Sequence, residues 1–156
     1  MKELIQKIKN ETTVRPYSLH GYGHWERVAE YARFIAAHEE VNEHILGLFA
    51  YFHDCRRLSD GTDPEHGPRA AKYIQTFPKN LLKLEEADIE RLMFACRYHT
   101  YEVATDDLTI KACWDSDRLD LGRVGIRPDP KRLFTQTAVD LAAGRMEMGL
   151  TSVPDR

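Results

Sequence analysis

Apolar residues recur in this chain every three or four positions, and almost nowhere in strict alternation, which restricts it to a helical architecture. From Trp25 the apolar side chains return at Val28, Ala29, Ala32, Ile35 and Ala36, one face of an amphipathic helix. The same spacing predicts a second helix over 42–57 carrying Ile45, Leu48, Phe49 and Phe52. Asp60-Gly61 marks 58–63 as a turn, and Asp63 stands where it can cap a third helix running from Pro64 to near Phe77-Pro78. A fourth helix over 85–98 turns Ile89, Leu92, Met93 and Cys96 inward. A fifth, over 108–121, follows the acidic pair Asp106-Asp107, which suits a helix N-terminus. Gly125 and two prolines make 122–130 a loop, and Asp129-Pro130 opens a last helix over 130–146 through Leu133, Val139 and Leu141. No segment alternates between hairpin turns as a strand would. The fold expected is all-α, a compact single-domain bundle of about six helices spanning 1–156, with no repeat or linker to divide it.

Bulk properties narrow the partners. At 156 residues and 42% apolar composition the chain can bury a core without disulfides or a structural metal. A formal net charge of −3 argues against a nucleic-acid polymer or an anionic membrane as partner, while leaving room for a local basic pocket. Cys55, Cys96 and Cys113 are odd in number and widely spaced, which suits reduced thiols in a cytoplasmic protein better than a disulfide framework or a zinc knuckle. The first ten residues are amphipathic and charged, without the apolar stretch of a signal peptide. No apolar run approaches the roughly 20 residues that span a bilayer.

The chemistry-bearing residues stand out by position rather than by number. His24 lies four before Val28 and eight before Ala32, His53 four after Phe49, and His99 three after Cys96, so all three extend apolar faces. Asp117 follows Trp114 by three, Cys113 by four and Ile110 by seven. A buried, unpaired carboxylate costs several kcal/mol, so Asp117 needs a partner of opposite charge, and a metal ion held between helices would supply it. His38 and His44 sit beside Glu39, Glu40 and Glu43 at a polar junction and read as surface residues. Asp115 and Asp120 read as surface carboxylates paired with Arg118 and Arg123, and Arg27 is balanced between phosphate contact and a structural ion pair.

The order His24, His53-Asp54, Asp117 resembles the signature of the HD-domain superfamily of metal-dependent phosphohydrolases. The local contexts are similar too: His24-Trp25-Glu26-Arg27-Val28, the apolar run Leu48 to Phe52 before His53-Asp54, and Asp115-Ser116-Asp117-Arg118-Leu119-Asp120. The resemblance covers about residues 20–127. It implies His24, His53, Asp54 and Asp117 as metal ligands, with Asp115 as the alternative to Asp117, and Asp54 as the catalytic residue that orients the attacking water. His66 and His99, and with them His20, are similar to additional histidines that complete a second metal site or hold phosphate in some members. In this chain Arg57 stands where the family often has a lysine, and it becomes, with Arg118, a substrate-binding residue suited to phosphate. The Gly-Tyr-Pro signature of the superfamily's cyclic-dinucleotide phosphodiesterases is missing.

The resemblance thus implies a phosphohydrolase that acts on a small, phosphorylated, nucleotide-like molecule through metal-activated water. A His/Asp shell suits Mn²⁺, Co²⁺, Ni²⁺, Fe²⁺ or Zn²⁺, one ion or two, better than Ca²⁺. Two other readings stay open: a di-iron oxygenase built on the same ligands, and a regulatory module that binds a ligand without turning it over. The turns at 58–63 and 122–130 would set specificity.

Overall fold

The computed structural model of the protein describes residues 1–149, so the last seven positions of the expected 1–156 domain lie outside the described residues. Eight α-helices and two 3₁₀ segments make up the regular structure there, and no strand is present among the described residues. Two of the helices were not expected. Helix α1 (Lys2–Glu11) forms because Leu4 and Ile8, one turn apart, bury completely against the bundle. Helix α5 (Lys79–Leu82) is a single turn, stopped where Lys83 adopts a left-handed φ of 55°.

The centre of the bundle is α3 (Glu43–Phe52). Its start is capped by the Asn42 side chain, which accepts from the Ile45 amide, and Ile45, Leu46, Leu48, Phe49, Ala50, Tyr51 and Phe52 are all buried. A helix apolar on every side can only sit in the middle. Helices α2 (Tyr22–His38), α6 (Glu86–Arg97) and α7 (Leu108–Arg118) pack around it, and α4 (His66–Ile74) packs on α6. Trp25 and Trp114 are buried in this core, their indole N–H groups donating to the carbonyls of His20 and Ala95. As the acidic pair predicted, Asp107 caps α7, accepting from the amides of Thr109 and Ile110, and Arg91 pairs with it.

Several boundaries differ from the expected ones. The second helix ends at Phe52 rather than 57, and His53 to Arg56 turn out of it. Asp63 caps nothing: its carboxylate accepts from the Leu58 amide and from Arg69, closing the 58–63 turn, and α4 starts only at His66. The expected loop at 122–130 is partly ordered, since a 3₁₀ segment, Leu119–Val124, prolongs α7 and ends at Gly125 with φ 77°. Asp129 caps only the 3₁₀ turn Pro130–Arg132. Leu133 is extended, and the last helix, α8 (Gln136–Ala142), begins instead at the Thr135 cap, because Asp115 holds the amides of Phe134 and Thr135. No helix among the described residues is long and apolar enough to cross a membrane.

Candidate metal centre

Helix ends build the site. His24 lies in the first turn of α2, His53 and Asp54 directly follow α3, and His66 opens α4. His99 follows α6 by two residues, and Asp117 is in the last turn of α7. Five elements separated in sequence therefore deliver six side chains to one end of the bundle. Two glycines permit this closeness. A Cβ on Gly67 would stand 2.6 Å from the Cys96 carbonyl oxygen and 2.7 Å from that of Arg97, so only glycine lets α4 bring His66 against the end of α6. A Cβ on Gly21 would meet the Pro16 oxygen at 2.3 Å, where the chain folds back before α2.

The six side chains form two facing groups, His24, His53 and Asp117 on one side and Asp54, His66 and His99 on the other. In the first, His24 Nε2 lies 3.0 Å from His53 Nε2 and 3.1 Å from Asp117 Oδ1. In the second, the Nε2 atoms of His66 and His99 are 2.8 Å apart. Asp54 spans both. Its Oδ2 is 3.4 Å from the Nε2 atoms of His24 and His53, and its Oδ1 is 3.2 Å from His66 and 3.4 Å from His99. Donors held about 2.0 to 2.1 Å from a divalent ion stand about 2.8 to 3.4 Å from one another in octahedral or tetrahedral arrangements, so these spacings fit coordination.

The hydrogen bonds behind the ring nitrogens fix what the cluster presents. His53 Nδ1 faces the carbonyls of Phe49 and Ala50, His66 Nδ1 that of Asp63, and His99 Nδ1 that of Cys96. His24 Nδ1 faces the Asp120 carboxylate at 2.7 Å. Every Nδ1 thus meets an acceptor and carries the proton, which leaves each Nε2 with a lone pair turned inward. A buried space walled by four imidazole lone pairs and two carboxylates is rich in acceptors, with only Arg57 at Asp54 and the Thr100 hydroxyl at His66 to donate into it, and so it favours cations. Metal ions fit this donor set, and so do protons. Burial works against charge on His24, but hydrogen bonds to Asp117, Asp120 and Asp54 outweigh it and push the pKa up to about 10. Burial likewise opposes charge on His53, and the carboxylates of Asp54 and Asp117 raise it to about 9. Asp54 and Asp117 resist burial and stay well below the usual carboxylate range because the imidazoles surround them. His99 is lowered by burial.

Around the cluster the expected residues divide. His20 precedes α2 rather than lying on it, and its Nδ1 is 2.8 Å from Asp60 Oδ1, so it belongs to neither facing group. Burial lowers its pKa, against the pull of Asp60. Arg57 reaches the centre, donating from Nε to Asp54 Oδ1 at 3.3 Å while another nitrogen holds the carbonyls of Ser59 and Gly61. It also lines a cavity of about 310 Å³ with Thr13, Arg15, Ser18 and Asp60. Arg118 turns elsewhere, to Glu102, the Arg132 carbonyl and the ring of Phe134. His38 and His44 bond the carbonyls of Phe34 and Leu82, away from the centre.

Asp115 and Asp120 are not the surface carboxylates expected. Asp115 is completely buried and accepts from the Phe134 and Thr135 amides and the Thr135 hydroxyl, so it anchors the approach to α8 and takes no place in either facing group. Burial raises its carboxyl to about 6, although those donors pull the other way. Asp120 is 5% exposed; Arg123 donates to its carbonyl and stands 3.9 Å from its carboxylate, whose nearer contacts are His24 and Arg27. Arg27 is thereby a structural partner of Asp120. A signal for this lay in the spacing, because position 120 follows Asp117 by three and Cys113 by seven, on the same inward face.

No protein-family model matches the sequence, and no curated protein does. Among solved structures, a predicted HD superfamily hydrolase from an uncultured Thermotogales bacterium superposes with a TM-score of 0.74. The two are 24% identical, and the match covers 93% of this chain and 84% of that one. At that identity the likeness speaks for the fold, and the fold of this chain is the all-helical, HD-domain-like bundle that its motifs led us to expect.

Proposed function

We propose that this chain is an HD-superfamily hydrolase that cleaves phosphate from a small phosphorylated, nucleotide-like molecule with the help of one or two divalent transition-metal ions. The observation that carries the proposal is the acceptor-rich cluster with Asp54 spanning its two halves. His24, His53, Asp54 and Asp117 would hold the first ion, and Asp54, His66 and His99 a second. A divalent ion in this place supplies Lewis acidity, which polarises a phosphoryl oxygen and acidifies water.

The protein's own groups do the rest. Asp54 accepts a hydrogen bond from the attacking water and aims it at phosphorus. Arg57, already beside Asp54, offers its remaining N–H groups to phosphate oxygens, which a guanidinium binds in pairs. His20, with its Nδ1 proton held by Asp60, has the Nε2 lone pair left to accept from a substrate hydroxyl. Arg118 would join only by leaving Glu102, so Arg57 carries the greater share.

Purified protein supplied with Mn²⁺, Co²⁺ or Ni²⁺ is expected to release phosphate from members of a nucleotide panel, and His53→Ala to lower that release at least a hundredfold. Equal release by the variant would sink the proposal. A second reading, oxidation of a substrate by O₂ at two irons, is favoured by the Asp54, His66 and His99 group. Two tightly held irons with substrate-dependent oxygen uptake, and no phosphate release, would select it.

A further inference from the structure

His24 differs from the other three imidazoles in what fixes its back nitrogen. His53, His66 and His99 each turn Nδ1 to a carbonyl three or four residues earlier in the chain. His24 turns its Nδ1 to no such carbonyl. The oxygen four residues before it, on His20, accepts the Trp25 indole N–H at 2.7 Å, and the oxygen three before it, on Gly21, accepts the Trp25 amide. Its Nδ1 instead meets a carboxylate 96 residues away in sequence, Asp120 Oδ2.

That carboxylate is itself held. Oδ1 accepts from Arg27 Nε at 2.8 Å, one turn along α2 from His24, and Arg123 donates to the Asp120 carbonyl oxygen at 3.0 Å. Leu119 and Asp120 begin the 3₁₀ segment that prolongs α7 just beyond Asp117. The chain Arg27, Asp120, His24 therefore ties the first turns of α2 to the end of the helix that carries Asp117. Asp120 lies behind the ring, on the Nδ1 side, and so it is excluded from the set of atoms that face the centre.

We infer that Asp120 is a positioning residue for His24, with Arg27 orienting it; the inference rests on reading the His24, His53 and Asp117 group as metal-binding. A carboxylate accepting from Nδ1 fixes the ring plane and the tautomer, with the Nδ1 proton behind the ring and Nε2 aimed at the centre. It also makes Nε2 a stronger donor than a carbonyl partner would, and removing such a partner costs roughly ten- to a hundredfold in metal affinity.

The test uses Co²⁺ as the probe, with binding followed by visible absorbance and the Nδ1–H protons of ligating imidazoles followed by paramagnetically shifted proton resonances. Wild type is expected to show a solvent-exchangeable shifted N–H for His24. Asp120→Ala should bind Co²⁺ ten- to a hundredfold more weakly and lose that resonance alone, while those of the other histidines stay. Asp120→Asn keeps the shape and one accepting oxygen, serves if the alanine variant does not fold, and should lose less affinity. Arg27→Gln should lose least. Variants at Asp120 that bind Co²⁺ as tightly as wild type, with the His24 resonance intact, overturn the inference and leave the metal reading standing. A loss of every shifted resonance together would make Asp120 a general structural support and also overturn it. Wild-type protein that takes up no Co²⁺ overturns the metal reading, and the inference falls with it.

Discussion

At the scale of the residue, the protons on His24 and His53 compete with any ion for the cluster. His24 has a folded pKa of about 10 against about 6.5 in an unfolded chain. Its contribution to stability is therefore complete below about pH 6.5 and is lost as pH rises through 10. Chelator-treated protein should accordingly unfold at lower urea concentration at pH 10 than at pH 7. Metal-loaded protein should not follow that trend, because the ion takes the protons' place and binds better as they leave. A urea midpoint without metal that is flat from pH 7 to 10 would contradict the electrostatics described. Asp115 gives a separate test. Asp115→Ala leaves two amides and a hydroxyl without their buried acceptor, so it should cost roughly 3 kcal/mol in urea melts. It should leave metal content unchanged, since Asp115 belongs to neither facing group. These two aspartates also mark what was legible in advance. Helical spacing put Asp117 on an inward face, and its carboxylate does lie 3.1 Å from His24, but the same spacing took the completely buried Asp115 for a surface residue. The role of Asp115 was not legible, because its donors lie 19 and 20 residues further along, after an irregular segment.

At the scale of the element, the helices whose apolar stripes are unbroken were readable, while their ends were not. Periodicity locates α2, α3, α6 and α7, and the Asp107 cap is visible in the sequence as an acidic pair before an apolar run. The ends of α3 and the starts of α4 and α8 depend on side chains that arrive from elsewhere, Asp63 on Leu58 and Asp115 on Thr135, and no local pattern encodes those. The close pass of α4 over the end of α6 belongs to the same class. Gly67→Ala places a methyl group against two backbone oxygens, which cannot swing aside as a side chain would. We expect a loss of about 1–3 kcal/mol as α4 shifts outward. His66 moves with it, so metal capacity should fall by the second ion while the His24, His53 and Asp117 group stays competent. Metal analysis beside urea melts checks both. An alanine variant with full stability and full metal content would show that the close packing has no bearing on the site.

At the scale of the whole molecule, the six cluster residues sit at the ends of five elements, so the site exists only when the bundle is closed. That arrangement explains why the motifs, each short and common alone, could be combined into one centre from the order of the chain. Nothing in the spacing of His66 and His99 says that their nitrogens meet at 2.8 Å, since helices α4 and α6 are joined through the α5 turn. It also makes Asp54 the residue on which the account turns, because its two oxygens face the two groups separately. The most direct measurement is metal content after equilibration with Mn²⁺ or Co²⁺ and removal of unbound ion, for the wild type and for Asp54→Ala. Up to two ions per chain in the wild type, and loss of both in a variant that still folds, is the result expected. A wild-type protein that retains no ion, or an Asp54→Ala protein that retains as many as the wild type, would contradict the assignment of this cluster as a metal centre.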